Sequence, residues 1–337
     1  MPRLSSPFRN VVAGLVLAVA VAGCDHVTDP DGPNLNDRFG PFRLVEPLAA
    51  SSQTVDFAAG QSIVFTAQFN KQTDWVLEIT GTQSGAVKRI EGFSRELTAE
   101  NARWDGGTTD LPLFRAEPVT AALFFPSEAG SDTTRATTSA TSIRSYPGEV
   151  VTGFEESDDA TLFLGNFEFD FDLSLTGVNN DVPAAEGERF YRLRGTDNTL
   201  DNFFVGLLQI TSPSADGYFA VPTTIPEDLF LNAFLYNFEA EFTIVILEVV
   251  ADANGNGRFD DGTDTIIGSG DIRLDEPGWT AFSRSAADFG LTEAQASQIV
   301  AVRAVLISDN TAQPTSREPV DFGVDYITFT AGGPLQL

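Results

Sequence analysis

The stretch EFTIVILEVVADANGNGRFDDGTDTII, residues 241–267, decides the architecture. Its opening residues 241–250 are dominated by Ile, Val and Leu with no helical spacing of polar positions. β-Branched side chains in such a run pack best on a pleated surface. Residues 252–264 then turn abruptly to Asp, Asn and Gly, and Thr265-Ile266-Ile267 resumes the apolar run, so the unit reads strand, loop, strand. The same pattern extends outward. Strands are expected at 161–167, 190–195, 218–222, 229–236, 301–308 and 324–329, with a short helix at 292–299. Upstream, 62–67 and 75–79 read as separate strands with turn residues between them, and 119–125 as another. The chain is therefore expected to be all-β.

The loop carries its own chemistry. Asp252, Asn254, Asn256 and Asp260 occupy relative positions 1, 3, 5 and 9, with Gly257 at 6 and the Arg258 carbonyl available at 7. A hard cation takes six to eight oxygens, and a tight loop that turns alternate residues inward provides them. The pattern resembles the first part of an EF-hand-type calcium loop. It departs from that pattern at position 12, where Thr263 stands instead of a bidentate Glu, so Asp264 or Asp261 would have to close the shell. With strands on both sides, the resemblance implies structural calcium locking a hairpin rather than a helix-loop-helix sensor.

Composition removes several function classes. Among 337 residues there is one His and one Cys, which excludes a Cys/His zinc site, an ordinary Ser-His-Asp triad and an internal disulfide. A net charge of −28, from 20 basic and 48 acidic side chains, argues against a nucleic-acid partner, because phosphate binding needs a basic face. With His26 in a solvated segment, acid–base work would fall to carboxylates or Tyr, and no pair of them stands out. The protein reads as a non-enzyme.

Arg3 and Arg9 precede an apolar run over 11–22 that ends in Val21-Ala22-Gly23-Cys24. That run is short for a bilayer span and suits a signal h-region. The four residues resemble the bacterial lipobox, which implies a signal peptide over 1–23 and lipidation of Cys24, the sole cysteine. Residues 24–46, rich in Asp, Pro, Gly and Asn, read as a flexible tether. The resemblance places the protein in a bacterial cell envelope, anchored to the outer membrane and facing the surface or the periplasm.

Two modules follow. Over 47–145, the order of strands around Trp104-Asp105-Gly106-Gly107 and Pro112-Leu113-Phe114 resembles an Ig-like domain of the flagellar-hook-capping type, a spacer, closed by a Ser/Thr-rich linker at 131–145. Over 146–337, the opening Phe154-Glu155, GERFYRLRGT at 187–196, DLFLNAFLYN at 228–237 and VDYITF at 324–329 resemble a galactose-binding-like jelly roll. The whole is similar to exported lipoproteins of Bacteroidota-type bacteria, some encoded with outer-membrane glycan-uptake systems. Sugars stack C–H faces on rings and take hydrogen bonds from planar polar groups. On that chemistry Trp279, Tyr218 and Tyr236 are the candidate platforms, and Arg192, Arg194 and Asn232 the candidate donors. Two readings stand: a carbohydrate-binding accessory protein, or an envelope scaffold or adhesion protein that contacts another protein.

Overall fold

The computed structural model describes residues 40–128, 130–155, 162–165, 170–172, 174–196, 204–309 and 319–337. The expected signal peptide over 1–23, Cys24 and His26 lie outside the described residues.

The first unit contains β1 (Leu44–Ala50), β2 (Thr54–Val55), β3 (Ile63–Gly81), β4 (Val87–Leu97), β5 (Arg103–Trp104), β6 (Pro118–Phe124) and β7 (Thr134–Ala140). They form one sheet in the order β1-β3-β6-β7-β2, with β4 and β5 also paired to β3. The two strands expected at 62–67 and 75–79 are a single strand of 19 residues. The polar residues 70–74 between them form a bulge, visible as a register shift against β4 between Gln68 and Thr73. The chain stays extended there because alternate side chains remain paired with the core. Phe69 and Trp75 are buried, and between them Lys71 is buried with its ammonium 2.8 Å from Glu128. The Ser/Thr-rich stretch, read above as a linker, contains β7, which pairs with β6 from Pro118↔Ser139 to Leu123↔Thr134. Thr suits a half-buried strand as well as it suits a loop. β1 begins at Leu44, inside the stretch expected to be tether.

The two tryptophans are core residues. Trp104 donates from Nε1 to the Gly107 carbonyl at 2.8 Å and packs on Phe57 and Phe114. Trp75 lies flat under β4, where a Cβ on Gly92 would fall 2.3 Å from Trp75 Cζ2. Gly92→Ala is therefore expected to cost about 1–3 kcal/mol by overpacking. Its urea unfolding midpoint, compared with wild type, checks this; an unchanged midpoint refutes it.

The second unit is a β-sandwich. One sheet holds β8 (Glu149–Thr152), β10 (Asp170–Phe171), β11 (Gly177–Asn179), β12 (Phe190–Thr196), β14 (Leu229–Asn237), β17 (Gly278–Ser285) and β19 (Val320–Ala331). Its order is β10-β12-β19-β14-β17, with β11 on β12 and β8 on β19. The other, five-stranded sheet runs β16-β15-β18-β13-β9. Its strands are β9 (Leu162–Gly165), β13 (Phe204–Thr211), β15 (Thr243–Ala251), β16 (Thr265–Gly268) and β18 (Ile299–Ser308). Leu193, Leu231, Leu235, Phe322 and Val324 from the first sheet meet Leu208, Ile210, Val245, Leu247, Val302 and Ala304 from the second in one buried cluster. Each such Leu, Ile, Val or Phe side chain contributes about 1.5–3 kcal/mol on full burial.

Two short helices, α1 (Ala286–Phe289) and α2 (Glu293–Ala296), stand in place of the single helix expected at 292–299. Thr292 and Gln295 form a capping box on α2, which explains why the helical signal was legible there. Residues 218–222, expected as a strand, are not one. The preceding Gly217 (φ 83°) presses on the 252–264 loop, where a Cβ would lie 1.7 Å from the Gly257 carbonyl oxygen. That contact diverts the chain from the sheet.

The two units meet at a seam. Leu113 donates its N–H to the Ala185 carbonyl at 2.7 Å and is buried with Ala185, Phe234 and Tyr326. Tyr146, Trp279, Leu335 and Leu337 pack around them.

Candidate functional site

The 252–264 loop joins β15 to β16. Asp252 is its anchor: the carboxylate accepts from the N–H groups of Asn254 at 2.9 Å and of Gly255 and Gly257 at 2.7 Å, and from the Tyr218 hydroxyl at 2.8 Å. Burial pushes the Asp252 carboxyl up, but those donors outweigh it and hold the group below the usual range. Asn254 and Asn256 donate side-chain N–H groups to Asp260. Asp264 accepts from the N–H groups of Ala253 at 3.0 Å and Asp260 at 2.7 Å. Arg258 donates its N–H to Asn256 at 2.8 Å, and its side chain is exposed.

This donor set suits a hard cation. Carboxylate and amide oxygens predominate, and turning either Asn amide end for end would present its oxygen toward Asp260 instead of its nitrogen. Among the described residues no three His, Cys, Asp or Glu side chains form a metal-holding group, so amide and backbone oxygens would have to complete the shell. Tyr218, a sequence candidate for sugar stacking, belongs to this loop. Its hydroxyl is on Asp252, and with Phe259 its ring packs against Val250, Val300 and Ala301.

The other five sequence candidates share the outer face of the seven-stranded sheet. The polar atoms of Arg192, Asn232 and Trp279 are hydrogen-bonded within the chain. Arg192 is buried, with Nε 2.9 Å and Nη2 2.6 Å from the two Asp321 oxygens, a further bond to Asp181, and the Phe238 ring 3.8 Å beneath it. Arg194 lies 3.6 Å from Asp321 and 3.9 Å from Asp172. Asn232 is buried. Its amide donates to Thr330 Oγ1 at 2.9 Å, and its oxygen accepts from Ser283 at 2.7 Å and the Leu335 N–H at 2.9 Å. Trp279 donates to the Pro183 carbonyl at 2.7 Å, and its ring meets Tyr236 and Phe190 edge-on at 5.0 and 5.4 Å.

On the same sheet, Asp325 is fully buried and accepts from the N–H groups of Glu186 and Tyr326, both at 2.8 Å. Burial drives its carboxyl well above the usual range. Glu186 is pushed up to about 7, by burial first and by the neighbouring Glu155 charge second. Its ordinary value is 4.5, so between there and about pH 7 the folded chain keeps a proton that the unfolded chain releases. The stabilisation is complete below the ordinary value and is lost as pH rises through about 7. In excess chelator, wild type should therefore lose stability relative to Glu186→Gln over that window. Urea midpoints at a series of pH values test this, and a constant difference between the two refutes it.

Sequence reasoning missed the outer face of the five-stranded sheet. Register places Gln209 opposite Arg303 and Arg303 opposite Glu248, so three polar side chains form one rung across β13, β18 and β15. The neighbouring rung is Leu207, Val305 and Ile246. Arg303 Nη1 lies 3.2 Å from Glu248 Oε2, with the two side chains 13% and 19% exposed. Burial raises the Glu248 carboxyl and the Arg303 charge partly offsets it. Among the described residues, buried Arg303 Nε has no hydrogen-bond partner, and buried Glu248 Oε2 has none beyond that ion pair. Phe259, from the 252–264 loop, has its ring centre 6.0 Å from the Arg303 guanidinium carbon. The missed signal was a single polar residue inside each of three apolar strands: LLQIT, ILEVV and AVRAV.

No described protein family matches the sequence, and no curated protein matches it. Comparison with solved structures finds carbohydrate-binding modules at low similarity. One, from work on the promiscuous specificity of carbohydrate-binding modules of the β-sandwich superfamily, is 11% identical with a TM-score of 0.36, covering 86% of this chain and 98% of its own. A family 11 module from Clostridium thermocellum, in complex with a mixed-linked tetrasaccharide, is 10% identical with a TM-score of 0.34, covering 55% and 95%. A family 30 module of a cellulosomal cellulase from Clostridium thermocellum is 12% identical with a TM-score of 0.35, covering 55% and 98%.

Proposed function

We propose that this chain is a non-catalytic, lipid-anchored binding protein of a bacterial cell envelope, and that its second unit holds a glycan on the outer face of the five-stranded sheet. One observation carries the reading: the Gln209–Arg303–Glu248 rung sets planar polar groups beside an apolar rung, and among the described residues Arg303 Nε has no hydrogen-bond partner and Glu248 Oε2 has only its ion pair with Arg303. A buried donor or acceptor left unmade costs about 1–3 kcal/mol, and sugar hydroxyls, each both donor and acceptor, would recover it. The partly exposed Ile246 beside the rung would meet the C–H face of the ring.

Calcium in the 252–264 loop would stiffen the hairpin whose first strand carries Glu248 and whose loop carries Phe259. Lipidation of Cys24 would anchor the chain at the outer membrane, with the segment before β1 as tether, residues 47–145 as an Ig-like spacer and 146–337 as a galactose-binding-like jelly roll serving a glycan-uptake system. The support for the anchor is the sequence around Cys24. Among the described residues no helix is long and apolar enough to cross a membrane. Titration calorimetry with soluble neutral xylan, mannan and β-glucan tests the glycan reading. Saturable binding of one of them is expected, and no binding to any removes it.

A further inference from the structure

We propose that two copies of this chain pair edge to edge through β4, antiparallel, about a dyad at Phe93. Among the described strands β4 pairs only with β3, and its opposite edge is covered only at its start. There Thr109 donates its N–H to the Val87 carbonyl at 2.8 Å, and its hydroxyl accepts from the Arg89 N–H at 2.9 Å. The backbone groups of Val87 and Arg89 thus face away from β3. The two-residue period of a pleated strand gives Glu91, Phe93 and Arg95 the same orientation. Their side chains also share one face. Phe93 is 58% exposed, the most exposed of the large hydrophobic side chains in the described residues. Edge strands left in this state invite a further strand.

Charge selects the occupant and the register. With Phe93 on the dyad, Glu91 of each copy lies opposite Arg95 of the second copy, giving two complementary pairs and a central ring pair. Sliding the register to put Glu91 or Arg95 on the dyad sets like charges opposite each other, and centring on Gly92 sets Arg89 opposite Arg95. Opposite-charge and aromatic cross-strand pairs stabilise a ladder where like charges weaken it. Arg95 has an interaction inside its own chain, and five guanidinium donors serve both. The Thr109 bonds stop the ladder at Arg89.

Sedimentation of the full-length chain in detergent micelles tests it. Wild type should be dimeric. Glu91→Arg alone and Arg95→Glu alone should each weaken the dimer about tenfold or more, and Phe93→Ser, which changes no charge, should weaken it as well. Mixing the Glu91→Arg and Arg95→Glu proteins should restore a dimer, since every cross-dyad pair is then complementary. A wild type that stays monomeric at every concentration reached overturns the proposal. So does a dimer indifferent to both reversals, or single variants whose mixture stays monomeric.

Discussion

Calcium at about 10 mM is expected to raise the thermal midpoint of the chain by about 3–10 °C over its value in excess chelator. Extracellular calcium modules have Kd values of about 10⁻⁴–10⁻³ M. That concentration is then about 10–100 times Kd, and mass action gives about 1.4–2.7 kcal/mol. For a domain of this size each kcal/mol is worth about 2–4 °C. Two substitutions separate the ion from the loop's own hydrogen bonds. Asp252 holds three backbone N–H groups and the Tyr218 hydroxyl, so Asp252→Ala should lower the midpoint even in chelator. Asp260→Asn keeps the side-chain shape and removes a charge, so it should abolish the calcium response with a smaller loss in chelator. A midpoint that ignores calcium in the wild type removes the cation site.

The second large effect is expected at the polar rung. Arg303→Ala should weaken glycan binding by about 10- to 100-fold, since a hydrogen bond from a charged group contributes about 1.5–3 kcal/mol. The same change leaves Glu248 without its cation in a shielded position, which destabilises the sheet. Glu248→Gln is the companion variant: it keeps the shape and an acceptor oxygen while removing the charge. Gln209→Ala removes one amide without touching the ion pair and should cost less. On the opposite sheet, Arg194→Ala should leave glycan affinity unchanged. Calorimetry with one polysaccharide across wild type and the four variants decides the matter. Equal affinities for wild type and Arg303→Ala would sink the assignment of the face, and a loss in Arg194→Ala of the same size would move the site to the seven-stranded sheet.

Much of the architecture was legible in residue order. Runs such as TIVILEVVA and AVRAVLIS have no helical period, and side chains of that kind pay a smaller entropic penalty on a pleated strand than in a helix. The Thr292/Gln295 capping box announced its helix because the bonds involved are local. The errors occurred where a local signal met a distant partner. Residues 70–74 look like a turn, yet Lys71 is drawn inward to Glu128 and β3 runs on through a bulge. Residues 218–222 look like a strand, yet Gly217 is held against Gly257.

The site divides the same way. The spacing of Asp252, Asn254, Asn256 and Asp260 is a property of one short segment, so residue order alone singles out the loop for a cation test, as it singles out Cys24 at the end of an apolar run. Which carboxylate an arginine meets depends on register between strands far apart in the chain. Arg192 and Arg194 looked available until β19 brought Asp321 beside them. Gln209, Glu248 and Arg303 looked like isolated interruptions of apolar strands until pairing set them on one rung. Local propensities and loop chemistry act over a few residues and are written in order along the chain, whereas the satisfaction of a buried charge is settled only when the sheets close around it.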